Sequence, residues 1–247
     1  MVKDLTKYSL GLLTVFFAYL ISIFGFKDGK PTCDNYVINV YLYLAISLLV
    51  LGLLSMHIPW EKMHIHPLLL FISSIVFIVL ISLQKDFQKE TNQVLYSHIY
   101  FALFVLSISG TFWIYLKHSS FKPYINSTIL IVSLIFTFMS MLVYLYPSFF
   151  ANTYSQVTTG LFITLLIIII IELFSFFFTN KYYGSSMYKI VSYIVILVFS
   201  LFVSYDTSRV FELADMCKNY PNYPKTSVSF FLDVINLFAR IISLKSR

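Results

Sequence analysis

At 247 residues, 59% hydrophobic and only 11% charged, the chain has too little polar surface to coat a soluble fold. Its long apolar runs lack the period-two alternation of outer-membrane strands, which leaves an all-α, polytopic membrane bundle in one domain, residues 1–247. The net charge of +6 comes with no basic patch or nucleic-acid motif, so the expected partner is the lipid bilayer and not nucleic acid.

A hydrocarbon core about 30 Å thick requires about 20 helical residues. Runs approaching this length lie at about 9–26, 37–57, 67–83, 95–117, 123–146, 157–179, 187–207 and 228–243. The third is short, and the last has an apolar core of only about 15 residues and could be re-entrant, so seven to eight transmembrane helices are expected. Every proline, from Pro31 to Pro224, falls between these runs or at their ends, where a residue without an N–H does least harm. Lys3 and Lys7 precede the first run in the manner of a signal peptide. That run is longer than an h-region and no small-x-small site follows it, so a retained helix is expected.

Eight spans put both termini on one side. That side carries Lys3, Lys7, Lys62, Lys117, Lys122, Lys181, Lys189, Arg240, Lys245 and Arg247 against Asp4 and Glu61. Opposite, seven basic residues meet Asp28, Asp34, Asp86, Glu90, Glu212 and Asp215, and this bias places both termini in the cytoplasm. Cys33 and Cys217 then share the non-cytoplasmic side. A bridge between the first and last loops is open to them, but without known proximity two free thiols are the expected state. His57, His64 and His66 cluster in one loop without a further ligand to close a metal site, so a solvated interfacial loop is expected; His98 and His118 stand alone near helix ends, where hydrogen-bonded packing is expected.

Three acids remain inside apolar runs, where an ionisable group marks a candidate functional site. Glu172 shares a helical face with Ser175 and Thr179, which suits a structural anchor and an ion path equally. Asp206 sits beside Tyr205 and one turn before Arg209; alone it reads as a helix-end ion pair. Asp233, Asn236 and Arg240 draw a polar stripe down an otherwise apolar helix, suited to the middle of a bundle. If the helices of Asp206 and Asp233 pack together, two carboxylates meet in a low-dielectric site. They share one proton, repel when it is lost, and then present hard oxygens that suit transient Ca²⁺.

The stretch MYKIVSYIVILVFSLFVSYDTSRV, followed by SVSFFLDVINLFARII, resembles the last two helices of the transmembrane Bax inhibitor motif family. The likeness covers about 60 residues at the motif level and rests on both acids and the run Ile235-Asn236-Leu237-Phe238. It implies a helical bundle around a central C-terminal helix, a paired-aspartate pH sensor and gate at Asp206 and Asp233, and passive Ca²⁺ permeation with no cofactor. It also implies protection from cell death in eukaryotic and viral members, through apoptosis-regulating membrane proteins. Two features depart from the family: eight runs where seven spans are usual, and no arginine before Arg209 to hold the first aspartate in the closed state. His57, Lys62 and Lys117 are the candidate substitutes.

Intramembrane aspartyl proteases also pair aspartates on consecutive helices. Their second aspartate follows Gly-x-Gly, whereas here Phe230-Phe231-Leu232 precedes Asp233 and no Pro-Ala-Leu turn occurs. A non-transporting subunit of a membrane assembly is the third alternative. The preferred reading is a pH-sensitive Ca²⁺ leak channel and not an enzyme, with Glu172, Asn236, Arg209 and Arg240 as candidate pore or latch residues. The expected location is endoplasmic reticulum or Golgi for a eukaryotic or viral chain, and the inner membrane for a bacterial one.

Overall fold

The computed structural model describes residues 2–178 and 186–246. Helices stand at all eight predicted places: α1 (Val2–Phe24), α2 (Tyr36–His57), α3 (Pro67–Ser82), α4 (Thr91–Lys117), α5 (Ile125–Leu145), α6 (Pro147–Phe178), α7 (Ser186–Asp215) and α8 (Tyr223–Lys245). The protein is an all-α, multi-span bundle. Among the described residues, α2, α4, α7, α8 and the segment Lys122–Leu145 are long and apolar enough to cross a membrane. The bent α6 adds a sixth, while the apolar stretches Tyr8–Phe24 and Leu68–Ser82 are shorter. Half of the apolar window of α8 is buried (50%), against 17–39% in the other four.

Several helices outrun their apolar runs, and for three of them the reason is identifiable. α6 starts at Pro147, because proline fits the first helical position, where its missing N–H is not needed. Polar Asn152, Thr153 and Gln156 hide that first segment from hydropathy, and a 64° bend separates it from Gln156–Glu172. α7 continues to Asp215 because Arg209, Glu212, Leu213 and Ala214 are good helix formers, although the charges of Arg209 and Glu212 interrupt the apolar run. α8 starts at Tyr223 because Asn222 caps it, its Oδ1 accepting from the Lys225 N–H at 3.2 Å.

The chain divides into two compact units. The first comprises Met1–His118 and Val210–Phe231. Within it α1 packs on α2, α2 on α4 and α3 on α4. Gly110 permits the last of these, since a Cβ there would lie 2.5 Å from Leu70 Cδ1 and 3.0 Å from Trp60 Cε3. Phe231, wholly buried, packs edge-to-face on Phe101 and Phe104, and the three ring centroids lie 5.3 to 5.9 Å apart.

Three connectors at one end of this unit are tied together. β1 (Phe26–Lys27) and β2 (Lys30–Pro31) make a hairpin whose turn, Asp28-Gly29, takes positive φ at both residues (54° and 74°), the geometry for which Asp-Gly is suited. β3 (Phe87–Gln88) pairs antiparallel with β4 (Tyr220–Pro221). Asn222 donates to Lys85 O (3.0 Å) and Ser97 Oγ (2.8 Å), Lys225 pairs with Asp86 (3.5 Å), and the Tyr223 hydroxyl donates to Thr32 O. Asn39, fully buried, donates to Phe24 O and Asp34 O and reaches the Tyr223 hydroxyl. The expectation of free thiols is overturned: Cys33 and Cys217 are bonded, with Cα atoms 5.8 Å apart. Folding brings the α1–α2 connector onto the α7–α8 connector, a proximity that residues 184 apart in sequence do not reveal.

The second unit comprises Ser119–Arg209 and Leu232–Arg247. Here α7 presents Ser192, Ser200, Ser204 and Ser208 on one buried stripe, small residues that let helices approach closely inside lipid. Ser204 lies 3.4 Å from Met139 O and Thr207 3.2 Å from Ser140, joining α7 to α5. Tyr205 joins α7 to α6, its hydroxyl 3.1 Å from Thr153 and its ring edge-to-face with Phe150.

Candidate functional site

The second unit contains Glu172, Asp206, Arg209, Asp233, Asn236 and Arg240. Asp233 lies on α8 and is only 5% exposed; its Oδ2 has no hydrogen-bond partner among the described residues. The charge that acts on it is that of Asp206, from α7. The two acids are therefore electrostatic neighbours on consecutive helices.

Asp206 is half-buried, directly after the buried Tyr205. The helix-end description of this residue is corrected: α7 runs nine residues beyond it, so its position is set by a continuous helix. The Thr153 contact at Tyr205 and the Ser140 contact at Thr207 fix the backbone on either side of Asp206. Arg209, one turn on, is exposed.

The stripe below Asp233 resolves differently for its two other members. Asn236 donates to Leu232 O of its own helix at 2.8 Å, so one of its two amide hydrogens is engaged locally. Arg240 forms a fork-to-fork pair with Glu172 of α6: Nη1 to Oε1 and Nη2 to Oε2, both 2.6 Å, with each side chain about a quarter exposed (22% and 24%). Arg240 also donates to Tyr188 of α7, itself buried. Ser175 and Thr179, which complete the predicted face of Glu172, lie outside the residues whose side chains are described.

The remaining candidates are engaged elsewhere. Lys117 pairs with Glu61 and stands 4.7 Å over the Trp113 ring, His57 bonds to Leu53 O of its own helix, and Lys62 is exposed. His66 caps α3, accepting from the Leu68 N–H, and His98 packs between Tyr43 and Phe26. Among the described residues no three His, Cys, Asp or Glu side chains gather as a metal site. What the arrangement can do chemically therefore rests on two carboxylates, which can take up protons or offer oxygens to a passing hard cation.

A family model described as "Inhibitor of apoptosis-promoting Bax1" matches residues 33–246. The chain belongs to the Bax inhibitor family. Among the described residues the matched region holds the α-helices α2 to α8 and both aspartates, and α1 precedes it. No curated protein and no solved structure matches the chain.

Proposed function

We propose that this Bax inhibitor family member is a pH-sensitive Ca²⁺ leak channel, with Asp206 and Asp233 as sensor and gate. The observation that carries the reading is the Asp233 carboxyl: 5% exposed, one oxygen unpartnered, and Asp206 as its charged neighbour on the next helix. A single proton shared by the pair ties α7 to α8. Its loss sets charge against charge at low dielectric, pushes the helices apart, and leaves oxygens that draw Ca²⁺ along the opened path. Transient Ca²⁺ ligation by Asp206 and Asp233 is part of this proposal.

No catalytic step is assigned. Hydrolysis at Asp233 would need room for a substrate strand, and Phe230 and Phe231, both fully buried, precede it where aspartyl proteases carry glycine. Orientation with both termini in the cytoplasm is supported by the basic bias of the loops and by the Cys33–Cys217 bridge, since disulfides persist in oxidising compartments. An endomembrane site suits a eukaryotic or viral chain. A leak there lowers stored Ca²⁺, which is the proposed route to cell-death inhibition, alone or with apoptosis-regulating membrane proteins.

The test is Ca²⁺ flux in proteoliposomes with an entrapped indicator across a pH series. The proposal requires a pH-dependent flux that Asp206→Asn and Asp233→Asn each blunt. A flat profile in the parent, or an unchanged one in both variants, refutes it.

A further inference from the structure

We propose that Glu172 and Arg240 form a positioning clamp that sets the rotation of α8, and so aims Asp233 at Asp206; this rests on the reading of the two aspartates as the gate. Arg240 follows Asp233 by seven residues, two turns on the same face and ~10 Å along the axis. Its guanidinium is a rigid planar fork, and both Glu172 oxygens meet it at 2.6 Å. Two parallel bonds fix an orientation where one bond or a point charge would fix only a distance. A slip of α8 by one residue turns its faces by about 100°, which breaks the fork and carries Asp233 away from α7.

The surrounding groups support positioning over a pore role for Glu172. Both its oxygens face the guanidinium, so a permeating cation that approached them would meet the positive charge of Arg240. Arg240 is faced by Glu172 from α6 and by the Tyr188 hydroxyl from α7, so the clamp gathers three helices at one point. Asp233 is faced by Asp206 from α7; among the described residues α5 and α6 add no further charge to it. The other polar tie on this part of α8, Lys245 to Ser127 Oγ of α5 at 2.8 Å, comes from a flexible ammonium and leaves rotation free.

The experiment uses the full chain in proteoliposomes. Arg240→Lys keeps the charge but loses the fork, and the exchanged pair Glu172→Arg with Arg240→Glu restores it in reverse. Thermal midpoints of the purified proteins identify variants that remain folded. The clamp predicts that folded Arg240→Lys moves the pH midpoint of Ca²⁺ flux by about half a unit or more. The exchanged pair moves it back, and Arg240→Lys adds nothing in an Asp233→Asn background. A second readout does not depend on flux: with Asp206→Cys and Asp233→Cys, cross-linking by a short bis-maleimide should fall several-fold on adding Arg240→Lys. An unchanged cross-linking yield in a folded Arg240→Lys protein overturns the clamp. A parent without pH-dependent flux overturns the gate reading alone, and the cross-linking still decides the clamp.

Discussion

Replacing Cys33 and Cys217 by serine opens a covalent link that closes a loop of 184 residues. For a freely unfolding chain a loop of that size contributes about 5 kcal/mol. Helices that persist in the membrane-unfolded state shorten the effective loop, which brings the expectation to about 2–4 kcal/mol. The polar ties at the same end, Tyr223 to Thr32 O and Lys225 to Asp86, stay in place and keep the native connectors in register. The loss should therefore appear in stability and not as a change of fold. Denaturant titration in mixed micelles, followed through the fluorescence of the buried Trp60, measures it. The parent in dithiol should unfold with the serine variant, and the variant should not respond to dithiol. Equal midpoints for parent and variant, or two alkylatable thiols in the unreduced parent, would refute the reasoning.

Other substitutions probe the packing within the first unit. Phe231→Ala removes a fully buried ring from its cluster with Phe101 and Phe104 and should cost about 3–5 kcal/mol in the same titration. Gly110→Ala gains helix propensity of up to about 1 kcal/mol. It also drives a methyl into Leu70 and the Trp60 ring, so net destabilisation of about 1–2 kcal/mol is expected, with a shift in Trp60 emission. Asn222→Ala removes the α8 cap and leaves Lys85 O and Ser97 short of a partner; about 2–3 kcal/mol should be lost, with faster amide exchange in the first turn of α8.

Helix positions were legible because lipid demands long apolar runs, and each of the eight runs became a helix. Their ends were not, because Pro147 and Asn222 start helices by local backbone chemistry that hydropathy does not register. Within the candidate site, Asp206 and Asp233 stood out by their price in lipid, and Arg240 by its place on the stripe of Asp233. That Arg240 meets Glu172 is a tertiary fact: the residues are 68 apart in sequence, and neither helix face alone names its partner. The same holds for Tyr188, an ordinary interfacial tyrosine until α7 brings it to Arg240. The two-residue strands β3 and β4 are too short for any periodicity and form only because α3–α4 and α7–α8 end beside each other.

The central claim is that Asp206 and Asp233 act as one titrating gate, and the pH profile of Ca²⁺ flux through the parent, Asp206→Asn and Asp233→Asn in proteoliposomes tests it most directly. Parent flux should rise with pH as the pair loses its shared proton, while each asparagine variant, unable to build the repelling pair of charges, should show a flattened profile. Two variants that reproduce the parent's profile would contradict the account.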